Sequence, residues 1–447
     1  MLRVGGSLLR KVPELDRAIG VYFYYTDTPG IGGVLRKKIE DFVVKEILKN
    51  GTVIDEETTK HLVKKGEGPF LHCLMVKYDV ETFLAIEKIA NKFRVKQNHV
   101  KVAGLKDRRA VSYQRISIKG VKPEQVRNAN INGVKLYPLY QSWEPVNIGD
   151  LWGNLFKVVI REVRMKENTL KNVLDRFFSE VYEKGIPNWY GYQRFGVKNP
   201  NTHLIGRNIV KGNFGEAVRI FLKNSLEPEL AELVDEERYS ELLERIPRHL
   251  VFEYKVIKYL AGKPKDYVNA FRRLNKDLRR LYIHAYQAFL FNKVLSRRIE
   301  EGMPIREPVT GDVVWDEEKC IYVRVKQANL REVREKCREG KATVCMRVIG
   351  YAIKPEEGEI GEIEKQVLEE EEVKPEDFII KGMPEISSRG HYREAELITK
   401  NLKLLFVGYD ETSKGALKVG LRFAVKKGGY ATTLLRELMK TEPEKLV

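Results

Sequence analysis

The strongest constraint on the fold is a strict alternation at residues 111–118. Val111, Tyr113, Arg115 and Ser117 interleave with Ser112, Gln114, Ile116 and Ile118, the period of a pleated strand with two unlike faces. Immediately before it, Val100 and Val102 alternate with polar neighbours, and Gly104 permits a sharp reversal. The stretch therefore reads as a strand end, a tight loop and a new strand. In the loop sit Lys106, Asp107, Arg108 and Arg109. A lone carboxylate among three cations is held in its charged form. Such a loop serves chemistry or is simply a solvated turn with local ion pairs, and spacing alone does not separate the two.

A second aromatic stretch occupies 187–196, where Trp189, Tyr190, Tyr192 and Phe195 surround Gly191, Gly196 and Arg194. Aromatic faces beside a cation suit an unstacked nucleic-acid base. They equally suit an aromatic core at a strand-to-loop junction.

The remaining pattern divides the chain. Residues 42–47 read as a strand and 71–76 as another. Asp79 is a candidate cap for a helix over 80–93 with an apolar stripe of Phe83, Leu84, Ile86, Ile89, Ala90 and Phe93. Residues 155–161 read as a strand. Asn168 is a candidate cap for a helix carrying Leu170, Val173, Leu174, Phe177, Phe178 and Val181 and stopped near Gly185. From about Lys211 helical patterns dominate, over 214–223, 228–244, 264–273 and 278–302, whereas 251–260 fits neither period cleanly. Residues 303–360 read as short strands, and the acidic run 361–377 as a solvated helix face. Strands return at 402–407 and 420–425, with a helix starting after Gly429.

With 447 residues, two or three domains are expected. Eighty Lys and Arg against 63 Asp and Glu leave a net charge of +17, which favours a polyanionic partner. The four cysteines form no Cys-x-x-Cys pair, so neither a zinc site nor a disulfide framework is expected. No apolar run reaches the roughly 18 residues of a membrane span. No Gly-x-x-x-x-Gly-Lys-Ser/Thr loop occurs, which disfavours a nucleotide hydrolase, and no glycine-rich cofactor loop suggests a methyltransferase. A cytoplasmic location is expected.

Residues 103–114, Ala-Gly-Leu-Lys-Asp-Arg-Arg-Ala-Val-Ser-Tyr-Gln, resemble the catalytic motif of the TruD family of tRNA pseudouridine synthases, with Ser112 where Thr is usual. Residues 187–196 resemble its Pro-Asn-Tyr-Phe-Gly-x-Gln-Arg-Phe-Gly motif, with Trp189 for Tyr and Tyr190 for Phe. Looser likenesses lie at 40–46, with Arg36 where Lys is frequent and Ile39 in place of Pro. Others lie at 153–156, in the helix around Ala285-Tyr-Gln287, and at 429–437. Arg389 and Arg393 both compete for the family's Gly-x-Arg-Arg segment.

The resemblance implies an α+β fold with a mixed, mainly antiparallel sheet flanked by helices. It implies a discontinuous catalytic domain, 1–212 and 396–447, interrupted by a largely helical inserted domain at 213–395. It also implies isomerisation of uridine 13 of tRNA without metal or cofactor, by a monomer. Asp107 is the implied catalytic residue, as nucleophile or as base. Arg36, Lys106, Asn188, Tyr190 and Arg194 are the implied substrate-binding residues, with Lys106 or Arg36 as the cation that keeps Asp107 ionised. A non-catalytic RNA-binding or ribosome-associated protein is the alternative.

Overall fold

A computed structural model describes residues 11–63, 66–196 and 199–446, together with two short N-terminal strands, Arg3–Val4 and Ser7–Leu8. The chain divides into two compact units, 1–27 with 184–396 and 28–183 with 397–447. Residues 184–212, expected with the catalytic part, fall in the first of these. The class is α+β, with a mainly antiparallel sheet, as the sequence implied.

The second unit is built on an eight-stranded sheet. Its strands are β1 (Phe42–Ile47), β2 (Phe70–Tyr78), β3 (Val100–Val102), β4 (Val111–Lys119), β5 (Val134–Ser142), β6 (Gly153–Val163), β7 (Thr399–Tyr409) and β8 (Leu417–Lys426). They lie in the order β7-β8-β6-β1-β4-β2-β5, with β3 beside β4. Only β1 and β4 run parallel, with Val43 opposite Val111 and Lys45 opposite Tyr113; every other pairing is antiparallel. The expected alternation of β4 holds over 111–116, with Ser112, Gln114 and Ile116 buried and their neighbours half-buried, but Ser117 is buried along with Ile118 because its hydroxyl accepts from the Val146 amide at 2.9 Å.

Helix α1 (Thr82–Phe93) covers the β2–β4 part of this sheet. Ala85, Ile89 and Ala90 are buried and Ile86 and Phe93 partly so, packed on Leu71, Cys73, Met75, Ile116 and Ile118. The expected stripe is therefore corrected at its start: Phe83 is 61% and Leu84 44% exposed. At 100° per residue Leu84 points away from the 85–86–89–90–93 face, whereas Phe83 lies at its edge, about 20° from Ala90, in the first turn of the helix. Asp79 is not the cap either. It adopts φ of 51°, which turns the chain left-handed before the helix, and Glu81 occupies the cap position without a side-chain capping bond. Likewise α2 (Glu167–Lys184) begins one residue before Asn168. Of its expected stripe, Leu170, Val173, Leu174, Phe177 and Val181 are buried and Phe178 is only half-buried.

In the first unit, six helices from Thr202–Val210 to Tyr267–Phe271 lead to the buried helix α3 (Lys276–Glu300). The segment 228–244 forms two helices, Pro228–Asp235 and Tyr239–Arg245, and Val251–Gly262 is a third. A four-stranded antiparallel sheet follows, in the order Ile321–Arg324, Val313–Asp316, Ala342–Val348, His391–Glu394. The acidic segment is not uniformly solvated. The helix Glu359–Glu370 buries Ile360, Ile363, Val367 and Leu368. It also buries Glu364, whose carboxylate meets Arg347 at 3.3 Å and is pushed up to about 8 by desolvation.

His203 of the first unit is buried, stacked on Phe289 with ring centroids 4.8 Å apart and edge-on to Phe195. Burial, with Arg207 nearby, lowers its pKa from 6.5 to about 4. A histidine held neutral in the fold binds its proton more readily when unfolded, so stability falls as pH drops from about 6.5 towards 4. His203→Phe should flatten this acid limb, read as melting temperature against pH between 7 and 4. In the second unit, Ile89→Ala should cost about 2–5 kcal/mol in denaturant unfolding, while Phe83→Ser should stay within about 0.5 kcal/mol.

Candidate active site

Asp107 lies on the loop between β3 and β4, with its side chain 31% exposed. Its carboxylate accepts from Arg36 Nη2 at 2.9 Å. Arg36 is almost fully buried, and its other terminal nitrogen donates to the Leu446 carbonyl at 2.9 Å. Its guanidinium carbon stands 3.9 Å from the centroid of Phe42, the first residue of β1. Such a contact adds about 1–2 kcal/mol when desolvated. Desolvation lowers the Arg36 pKa, and Asp107 opposes that shift. A guanidinium starts so high that it stays charged. Arg36 is set in place by an unusual backbone. Its own φ is 55°, and Gly33, three residues before it, takes φ of 92° where a Cβ would strike the Arg161 carbonyl at 2.7 Å. Arg109 donates from Nη2 to the Arg36 carbonyl at 3.0 Å, closing the loop back on the arginine.

Of the two cations that the sequence offered for Asp107, Lys106 is directed elsewhere. Its ammonium turns inward to Glu46 Oε2 at 3.2 Å, and both side chains are buried. Desolvation raises the Glu46 pKa and Lys106 opposes it. The cation paired with Asp107 is therefore Arg36, and Lys106 anchors the loop to β1. The loop backbone is held by three further side chains. Thr82 Oγ1 donates to the Lys106 carbonyl at 3.2 Å and accepts the Lys106 amide at 3.1 Å. Gln114 Nε2 donates to the Gly104 carbonyl at 3.2 Å. Lys77, wholly buried at the end of β2, donates to the Asp107 carbonyl and, at 2.8 Å, to the Val80 carbonyl. Sequence reasoning missed Lys77. The sequence signal for it is a lysine continuing an apolar strand, which runs to Tyr78 and not to the expected end at 76.

Asn188, Tyr190 and Arg194 belong to the first unit. Asn188 is buried; its Nδ2 donates to the Glu394 carbonyl at 3.0 Å and its Oδ1 accepts from Arg393 Nη2 at 2.7 Å. Arg393 also donates twice to the Asn188 carbonyl. Its guanidinium carbon stands 4.0 Å from the Tyr190 centroid, and that of Arg194 stands 5.5 Å away. Arg389 is exposed, so Arg393 is the arginine built into this motif. Tyr190 is 5% exposed, edge-on to Phe291, with its hydroxyl 3.4 Å from His391 Nε2. Its backbone amide and carbonyl are both bonded by Asn292 of α3, which also donates to the Ile19 carbonyl. Of the aromatic residues of that helix, Tyr282, Tyr286 and Phe291 are buried and Phe289 is half-buried.

The family model for tRNA pseudouridine synthase D (TruD) matches residues 18–438. The "Probable tRNA pseudouridine synthase D" of Methanococcoides burtonii is 34% identical, over 98% of this chain and all of the relative. That of Methanopyrus kandleri is 37% identical, over 84% of this chain and 87% of the relative. The crystal structure assigned to tRNA pseudouridine synthase D (TruD) from Methanosarcina mazei superposes with a TM-score of 0.82 at 34% identity, covering 98% of this chain and all of that one. Fold and matches together define a pseudouridine synthase, an isomerase acting on RNA. Within that class, the chain belongs to the tRNA pseudouridine synthase D (TruD) family.

Arg36→Lys keeps a charge but cannot reach Asp107 and the Leu446 carbonyl through two nitrogens of one plane. It should slow pseudouridine formation by about 10- to 100-fold in single turnover. Arg36→Ala should slow it further and leave Asp107 without its guanidinium.

Proposed function

We propose that this chain converts uridine 13 of tRNA to pseudouridine and that Asp107 is its catalytic carboxylate. The observation that carries the reading is the pairing of a part-exposed carboxylate with a buried guanidinium on a loop fixed at both ends. A solvated turn needs neither a buried arginine nor four side chains to hold it. The family supplies the reaction type, and the likeness of 103–114 to the family motif supplies the residue.

The reaction is an isomerisation. The bond from ribose C1′ to uracil N1 breaks, the base turns, and C5 bonds to C1′. The hydrogen at C5 leaves and N1 gains one, so atoms and electrons balance without a co-reactant. The uridine must leave its stack first, at a cost of a few kcal/mol that is smaller in a loop than in a duplex. Asp107 then attacks C1′ as nucleophile or removes the ribose 2′ proton as base. Arg36 aims the carboxylate through its 2.9 Å bond. The Lys106–Glu46 pair holds the loop, and Lys106 thus serves the substrate indirectly.

For the first unit, we assign Arg194 to the RNA and Tyr190 to the uracil face. Asn188 fixes the segment that carries both. Arg393 stands 4.0 Å from the centroid of the Tyr190 ring and Phe291 meets it edge-on, so the ring itself is held in place. The net charge of +17 supports a phosphate-rich partner. The protein acts in the cytoplasm, as a monomer and without metal or cofactor.

The test is an unmodified tRNA transcript incubated with the protein in metal-chelated buffer, then mapped by carbodiimide adducts and reverse-transcription stops. A stop at position 13 that vanishes with Asp107→Asn, at unchanged RNA affinity, is expected. A stop elsewhere would move the target, and stops that persist with Asp107→Asn would remove Asp107 from the chemistry. Tyr190→Phe should retain turnover and Tyr190→Ala should lose about 100-fold. Full activity in the alanine variant would take Tyr190 out of the reaction.

A further inference from the structure

We infer that Lys77 and Thr82 are positioning residues for Asp107, acting on the loop main chain and not on the substrate. The inference rests on the reading of Asp107 as the catalytic carboxylate. Residues 104–107 form no strand or helix ladder, so their backbone groups need other partners. Side chains provide them from three elements. Lys77 of β2 takes the Asp107 carbonyl, Thr82 of α1 takes both polar backbone groups of Lys106, and Gln114 of β4 takes the Gly104 carbonyl. The two residues whose backbone determines where the Asp107 side chain emerges are thus fixed from below.

Lys77 is the informative member. Its side chain is wholly buried, and both of its recorded acceptors are main-chain carbonyls, Val80 and Asp107. Burying an ammonium costs several kcal/mol, and a methionine in that strand position would avoid the cost. Burial pushes its pKa down to about 8, opposed by Asp107, Glu81 and Asp79 and assisted by Lys106. Near neutral pH the ammonium therefore remains mainly charged. It places a positive charge under the loop while bonding the carbonyl of the very residue whose carboxylate reacts. Arg36 holds that carboxylate from the side-chain end, and Lys77 holds the same residue from its backbone end. Together they remove the freedom of the loop to swing.

Lys77→Met and Thr82→Val test the inference, with Thr82→Ser as the conservative rescue. Under single turnover with saturating enzyme, Lys77→Met should lower the rate by about 30- to 100-fold and Thr82→Val by about 10-fold, the scale of small misplacements in an active site. The dissociation constant for tRNA should stay within about twofold of the parent, and Thr82→Ser should restore the rate. Folded Lys77→Met and Thr82→Val proteins that turn over at the parent rate would overturn the inference, as would affinity lost in step with rate. Should Lys77→Met fail to give a cooperative melt, the Thr82→Val and Thr82→Ser pair decides alone. Asp107→Asn is run beside them. If it is inactive while the positioning variants are unimpaired, only this inference fails. If it is active, the reading of Asp107 itself fails.

Discussion

A buried guanidinium bonded to a half-buried carboxylate is the interaction on which the second unit depends. Arg36 is costly to desolvate, and a single partner does not offset that. The structure surrounds it accordingly with Asp107, the Leu446 carbonyl and the face of Phe42. The need to bring these groups to one point fixes much else: the left-handed backbone at Arg36, the glycine at 33, and the start of β1 beneath the arginine. A second buried arginine has a similar effect nearby. Arg161 of β6 bonds Asp41 at 2.7 Å and Asp410 at 2.9 Å, tying the turn before β1 to the loop after β7.

The two polar motifs use their residues differently. In 103–110 the carboxylate is left reachable while side chains bond the main chain at Gly104, Lys106 and Asp107. In 187–194 Asn188 turns inward and is consumed by Glu394 and Arg393, and the backbone of Tyr190 by Asn292. Asn188 is therefore a structural hinge-pin for its segment, and its value to RNA recognition lies in what it holds. Arg393, one of two candidates in the sequence, earns its place by packing on the very ring that the motif presents.

Legibility in the sequence followed how local each cause is. The strand 42–47, the alternation of β4 and the helix over 214–223 depend on periods within a few residues, and each was read with its observed bounds or face. The motif placed Asp107 on a loop between strands, as found. Failures came where a distant group decides. Asp79 looks like a cap, yet the chain must turn left-handed there before α1 can start. Leu84 looks like core, yet the sheet meets α1 on the opposite face, and Phe83 is exposed at the edge of that face in the first turn. Lys106 looks like the partner of Asp107, yet Glu46, sixty residues earlier, claims it. Lys77 was silent because its acceptors are main-chain carbonyls, which no side-chain pattern announces.

The link from Arg36 to Leu446 spans 410 positions of sequence. Strands β7 and β8 likewise join a sheet whose other members were made before residue 184, and 184–396 forms a unit of its own in between. During synthesis, the middle of the chain can thus fold while the sheet that carries Asp107 still lacks one end. The arginine stays incompletely bonded until residue 446 leaves the ribosome. Closing so long a loop is slow, because its entropy is lost before the contact forms. The cluster around Arg36 is in this way among the last parts of the second unit to be completed, since one of its members is made 410 positions after the arginine itself.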